Sequence, residues 1–389
     1  MKERLKCERL KLVFLILFLF AALTLSAQIR EIKTAFYHVV SNDADASVVL
    51  RELELRFDAY NQMFGFDTAA LDAPLRVRAF KNKEDYDAYV LARLGSIQSG
   101  AVYLHYNQQD RRELVIHRGS PEEASALPYQ TFIQFLRAFV PNPPAWIRDG
   151  FAIFFSSLRF EPGTDTLGYT ENLAWLEPVK SLGDKAPPLE PVLLADDPDL
   201  PDQFQPLAWS VVSFFLNSGI DIYTRTLTEI FMTLDPAASA GANAEAVMRR
   251  INLRTDRETF HRDYRSYLAG RKTFAELLRD GQTAYTQKDA AAAELSFREA
   301  GNLNPAHYAP YYYLGLLAYE RQEYSVAEAY YRLALQYGAD PALVNFAQGL
   351  NAAMAGRREE AARFLEDAAK ASPARYRQRS DEIIQNLRK

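Results

Sequence analysis

Hydrophobic and polar positions follow different periods in different parts of this chain. A nearly unbroken apolar run, "LVFLILFLFAALTL", comes first, and residues 29–120 then mix two periods. "AFYHVV" and "APLRVRAF" have the pattern of half-buried strands, whereas "ADASVVLRELELRFDAYNQMF" sets apolar residues three and four apart, as an amphipathic helix does. "KNKEDYDAYVLARL" predicts a second helix, and "SGAVYLHY" with "RRELVIHRG" predicts a strand pair around the polar turn "NQQD". The order strand, helix, strand, helix, hairpin describes an α+β layer.

From 126 to 272 the helical period dominates. A helix from about Tyr129 to Phe139 is expected to stop before "VPNPPAW", because a proline disfavours helical geometry in the residue preceding it. "AWIRDGFAIFFSSL" follows as a second helix. "PPLEPVLLADDPDLPDQFQP" is a Pro/Asp-rich connection without a steady period. Four stretches with helical spacing come next: "LAWSVVSFFLNSG", "IYTRTLTEIFMTL", "NAEAVMRRIN" and "RETFHRDYRSYLAGRKTFAELL".

The C-terminal third repeats itself. "GQTAYTQKDAAAAELSFREAGNLNP", "GLLAYERQEYSVAEAYYRLALQYGADP" and "GLNAAMAGRREEAARFLEDAAKASP" align, and Gly281, Gly315 and Gly349 set a period of 34. Ala293, Ala327 and Ala361 keep that period, as do Ala300, Ala334 and Ala368; Phe297, Tyr331 and Leu365 fill the large position between them. Small residues let two helices approach, the large one fills the gap, and Pro305 and Pro373 punctuate in phase, with Pro341 displaced by two residues. In period and positional identity this resembles the tetratricopeptide repeat. The polar "ARYRQRSDEIIQNLRK" has the character of the capping helix that such an array needs.

Composition narrows the class. The 389 residues are 48% apolar and 24% charged, an ordinary globular balance with room for two or three domains. Residues 1–27 form a basic start, a short apolar core and a small-residue exit, the outline of a secretory signal cleaved after Ala27. An uncleaved N-terminal anchor is the alternative. The only cysteine, Cys7, lies before the apolar run, so the mature chain has no disulfide framework, no thiolate metal ligand and no thiol nucleophile. Cleavage removes five basic and two acidic residues and takes the formal charge from −5 to −8. A mildly acidic exported protein without a basic tract gives no reason to expect nucleic acid, and no stable membrane span is expected once the signal is gone.

The segment "YQTFIQFLRAFVPNPPAWIRDGFAIFF", residues 129–155, carries the most specific chemistry. Its second half resembles the gluzincin-type (MA-like) zinc peptidases, in which a Trp-x-x-Glu-Gly-x-Ala pattern on a helix supplies one metal ligand. Here the pattern reads Trp146, Asp149, Gly150 and Ala152. More loosely, the resemblance extends from about residue 30 to 270. It implies that Gln130 and Gln134 stand where the two zinc-binding histidines would be, and Thr131 where the catalytic glutamate would be. Asp149 would be the remaining ligand. A carboxamide is a poor zinc ligand beside imidazole, and Thr131 cannot take a proton from water near neutral pH. With one surviving carboxylate the resemblance implies that zinc and hydrolysis have been lost. The amides of Gln130 and Gln134 can instead bond to each other or to nearby backbone, and Asp149 can pair with Arg148.

Of the histidines, His38, His105, His117, His261 and His307, no two lie within five residues of each other. His105 and His117 are expected on the hairpin, where they could face each other across it. "DDPDLPD", residues 196–202, lacks the spacing of a calcium loop. No metal or other cofactor is expected.

The resulting organisation is a signal peptide (1–27), an α+β subdomain (28–125) and a mainly helical subdomain (126–272) that together make a zincin-like body. Three repeats (273–373) forming an all-α tetratricopeptide solenoid and a capping helix (374–389) complete it. The repeat resemblance implies a concave groove lined by Leu278, Gln282 and Tyr285, then Tyr312, Leu316 and Tyr319, then Phe346 and Leu350. That lining is apolar and aromatic with almost no basic residues. It would suit a protein or peptide segment with apolar anchors, rather than a terminal carboxylate gripped by lysine and arginine. The expected function is an exported, periplasmic or envelope-associated, non-catalytic interaction or scaffold protein; the alternative is an exported zinc metallopeptidase with an atypical site.

Overall fold

In "YHVVS" the side chains of Tyr37, Val39 and Ser41 turn inward while those between them stay partly exposed, so the sequence alternation becomes a strand over one apolar face. The computed structural model describes residues 30–42, 46–117, 119, 121–161, 163–183, 186–197 and 199–388. The expected signal peptide, residues 1–27, lies outside them. Five strands, β1 (Arg30–Lys33), β2 (Tyr37–Ser41), β3 (Leu75–Phe80), β4 (Ala101–Leu104) and β5 (Glu113–His117), form one sheet in the order β1-β2-β3-β5-β4. β2–β3 and β3–β5 are parallel, while the outer pairs β1–β2 and β4–β5 are antiparallel. Helices α1 (Ala46–Phe64) and α2 (Lys83–Leu94) make the parallel crossovers. The sequence pattern does not predict β1: "REIK" is polar and exposed, and its one partner is β2.

Helix α3 (Pro121–Phe139) packs on β3, β4 and β5, and α4 (Ala145–Phe155) packs on α3. α3 begins well before the expected Tyr129, with Pro128 inside it. A proline lacks the N–H for one helical bond. Here the chain tolerates it, and the Pro128 carbonyl accepts from the hydroxyls of Tyr60 at 3.1 Å and Thr131 at 3.0 Å. A short hairpin, β6 (Leu158–Glu161) with β7 (Thr166–Tyr169), interrupts the region expected to be mainly helical. Helices α5 (Leu176–Ser181) and α6 (Leu189–Leu193) follow, α6 lying in the stretch expected to be irregular, and then α7 (Phe204–Asn217), α8 (Asp221–Thr233), α9 (Ala240–Arg254) and α10 (Arg257–Gly270). A small mixed sheet followed by a long run of helices is thus the architecture.

The described residues divide into two compact units, the first drawn from the span Met1–Glu171 with Lys185–Tyr264 and the second from Asn172–Asp184 with Arg265–Lys389. Aromatic rings from α1, α3, α4 and α8 hold the first together. Phe57 meets Phe135 edge-on at 5.2 Å, Tyr60 lies 4.7 Å from Phe155, and Phe64 stacks on Phe231 at 4.0 Å.

The second unit contains α11 (Phe274–Thr286), α12 (Ala290–Leu303), α13 (Tyr308–Glu320), α14 (Tyr324–Gln336), α15 (Pro341–Met354), α16 (Arg358–Ala371) and α17 (Pro373–Leu387). α11 packs on α12, α13 on α14, and α15 on α16. Each first helix puts a glycine against the large residue of the second. A Cβ at Gly281 would lie 2.6 Å from Phe297, at Gly315 2.5 Å from Tyr331, and at Gly349 2.7 Å from Leu365. Real Cβ atoms do not come that close, so the period of 34 marks three close helix approaches. α17 covers the far end, with Tyr376 and Ile384 packing among Phe346, Leu365 and Ala368.

Candidate functional site

α3 and α4 hold the four positions that the peptidase resemblance singles out, and each is already engaged. Gln130 Oε1 accepts from the backbone N–H of Tyr103 at 3.0 Å, which occupies one donor on the free edge of β4. Thr131 is fully buried, its Oγ1 2.9 Å from the hydroxyl of Tyr60. It faces the aromatic core. Gln134 donates from Nε2 to the Arg76 carbonyl at 2.8 Å, while its buried Oε1 has no partner among the described residues. Of the two bonding modes open to the glutamines, the structure takes bonds to backbone.

Asp149 is buried on α4 and receives the guanidinium of Arg148, Nε to Oδ1 at 2.7 Å and a terminal nitrogen to Oδ2 at 3.0 Å. Arg148 also pairs with Asp197, and the Tyr129 hydroxyl lies 3.5 Å from Asp149 Oδ1. Burial, then the charge of Asp149, raises the Tyr129 pKa, so the phenol stays a donor. Burial opposes the charge on Arg148, but its hydrogen bonds to Asp149 and Asp197 prevail and raise its pKa. His105 completes the electrostatic picture: burial of part of the ring, then Arg137, Arg112 and Arg148, push its pKa down to about 4. Burial leads that shift and the three arginines add to it, and guanidiniums gathered there disfavour a divalent cation.

These donors do not fit zinc. One amide oxygen is taken, the other is a buried carboxamide oxygen and so a poor zinc ligand, and the carboxylate is neutralised by an arginine at hydrogen-bonding distance. The hairpin register also separates His105 from His117. His117 N–H bonds to the Gly100 carbonyl at one end, whereas His105 follows Leu104, which pairs with Glu113 at the other. The expectation that they could face each other is corrected. Beside Gln134 opens a cleft of ≈ 290 Å³ lined by Arg76, Tyr103 and Arg112 over an apolar wall that includes Pro74, Leu75 and Ala138.

In the second unit, five of the eight expected groove residues converge. Tyr312, Leu316 and Tyr319 from α13, with Phe346 and Leu350 from α15, line one cleft of ≈ 270 Å³. Leu278 and Tyr285 instead pack beside Leu314, Leu317 and Tyr313, and the Tyr285 hydroxyl donates to Glu320 at 2.6 Å. Gln282 is exposed on α11.

The expectation of a lining almost without basic residues is also corrected. Arg375 and Arg379 of α17 line the same cleft, with Tyr376 and Tyr331. They were missed because groove positions come from the first helix of each repeat, and α17 reads as a polar cap. The available signal was spacing: Arg375 and Arg379 each directly precede a residue of the buried stripe Tyr376, Ser380, Ile384.

Comparison with protein-family models gives no match to this chain, and comparison with curated proteins gives none either.

Proposed function

We propose that this chain is an exported, non-catalytic interaction protein: a gluzincin-like body that has lost its hydrolytic site, joined to a tetratricopeptide-type array whose inner face binds a protein segment. The observation that carries this reading is the convergence of Tyr312, Leu316, Tyr319, Phe346 and Leu350 on one cleft. Aromatic side chains around an apolar floor are the usual anchors of protein recognition. The close contacts of Gly281, Gly315 and Gly349 with Phe297, Tyr331 and Leu365, at a period of 34, support the repeat assignment. The loss of catalysis is supported by the Arg148–Asp149 pair and by the amides spent on backbone.

The test combines two measurements on the purified mature chain. A photo-reactive residue replacing Leu343, on the rim of the cleft, is expected to cross-link to a discrete partner in envelope extracts. Tyr312→Ala with Tyr319→Ala should reduce that yield by at least about tenfold, a loss of about 1.4 kcal/mol. Unchanged cross-linking in the double variant would refute the groove assignment. Zinc content after dialysis without chelator is expected near zero. About one zinc per chain, lost on Asp149→Ala, would restore the alternative of a metallopeptidase with an atypical site.

A further inference from the structure

The polar groups lining the cleft of α13, α15 and α17 are all donors. They are the hydroxyls of Tyr312, Tyr319, Tyr331 and Tyr376 and the guanidiniums of Arg375 and Arg379, and no carboxylate or carboxamide lines it among the described residues. Two of these donors are orphaned. Tyr331 is 0% exposed and Tyr376 3%, and neither hydroxyl has a hydrogen-bond partner among the described residues. A buried donor left unpaired destabilises, and an acceptor reaching it from the cleft would relieve that cost.

The arginines are unpaired too. Elsewhere on the array Arg298, Arg321 and Arg357 close onto Glu294, Glu323 and Glu328. Arg375 and Arg379 have no ion pair among the described residues, and they lie over rings instead, Arg375 5.1 Å from the Tyr376 centroid and Arg379 4.9 Å from that of Phe346. Such stacking orients a guanidinium while leaving its N–H fork open, the geometry that takes a carboxylate in two parallel bonds.

Resting on the reading of the inner face as a binding surface, we infer that this cleft receives an acidic segment of a partner protein. Its Asp or Glu side chains engage Arg375 and Arg379, their remaining lone pairs accept from the phenols, and flanking apolar residues cover Leu316 and Leu350. Two separate guanidiniums one helical turn apart suit two carboxylates spaced along a chain. A single terminal carboxylate would occupy only one. Tyr312 supports this as a donor, because burial and then the neighbouring Tyr376 push its pKa up to about 12.

Fluorescence anisotropy on the full mature chain tests the inference with three labelled peptides: a C-terminally amidated peptide alternating Glu with Leu and Phe, its Gln counterpart amidated, and that counterpart with a free C-terminus. The Glu peptide is expected to bind at least about tenfold more tightly than either Gln peptide. Arg375→Gln with Arg379→Gln, at exposed positions that leave the fold intact, should abolish that preference, and Tyr331→Phe should weaken the Glu peptide several-fold. Equal binding of all three peptides, lost in Tyr312→Ala with Tyr319→Ala, would overturn the acidic preference while leaving the inner-face reading in place. Tight binding of the free-terminus Gln peptide alone would replace the side-chain carboxylate with a chain end and overturn the inference as stated. If no peptide binds, both readings fall.

Discussion

A methyl group added at Gly150 would sit 2.5 Å from the carbonyl oxygen of Ala208 and 2.9 Å from Val212 Cγ2. The first of those neighbours is backbone, so α4 and α7 would have to part. Gly150→Ala is therefore expected to destabilise by about 1–3 kcal/mol, the usual cost of overpacking. Gly241, in the first turn of α9, gives the control: a Cβ there meets only Asp196 Oδ2 at 4.0 Å, so Gly241→Ala should leave stability unchanged or slightly raised. Urea midpoints measured side by side decide it, and matching midpoints for the two variants would contradict the packing account. His105 gives a second prediction at this scale. With a folded pKa of about 4 against an ordinary 6.5, the unfolded chain takes up the proton first, so this residue subtracts stability as pH falls from about 6.5 towards 4. Following its imidazole resonance by NMR should show no titration above pH 5.5, with the midpoint rising in Arg137→Gln. A midpoint near 6.5 in the unaltered chain would mean that neither burial nor the cationic neighbours act on the ring.

Between α10 and α11 the chain breaks where "RETFHRDYRSYLAGRKTFAELL" reads as continuous helix. The cause is a capping box: Thr273 Oγ1 accepts from the Glu276 N–H at 3.2 Å, and Glu276 Oε2 accepts from the Thr273 N–H at 2.8 Å. Thr273→Ala should cost about 1 kcal/mol and speed hydrogen exchange in the first turn of α11, with α13 unaffected. Uniform change across the array would point to some other role. The Thr-x-x-Glu signature was present in the sequence, but an unbroken apolar period hid it. What could be read from the sequence at this scale followed the strength of the pattern. α1, α7 and the periodic contacts of glycine with a large residue repeat a signal many times. β1 and the β6–β7 hairpin are four residues per strand and largely exposed, so no buried face writes a period into them. At the candidate site, the sequence indicated that Asp149 could pair with Arg148. The capping of β4 by Gln130 depends on a contact across 27 positions, which no local spacing encodes.

In an array of paired helices each pair touches only its neighbours, so the last apolar face has to be closed by something other than a repeat. α17 closes it: Tyr376 stacks on Phe346 with centroids 4.8 Å apart, and Ile384 reaches the cluster around Leu365 and Ala368. The same helix supplies both arginines of the cleft, so one element serves the stability of the unit and its chemistry. The polarity of α17 made the cap readable from sequence, but its part in the cleft was not readable, because it depends on which edge of the helix turns inward. Ending the chain after Ser372 therefore has a graded consequence. Each large apolar side chain uncovered loses about 1.5–3 kcal/mol of burial, and that loss falls on α15 and α16. Hydrogen exchange by mass spectrometry should show protection lost in those two helices, reduced in α14 and retained in α11 and α12. The His105 resonance, in the other compact unit, should keep its titration. The preference for a Glu peptide should vanish with Arg375 and Arg379. Protection lost equally from α11 to α16 would mean that the second unit unfolds as one block, and the nearest-neighbour account of its stability would have to be abandoned.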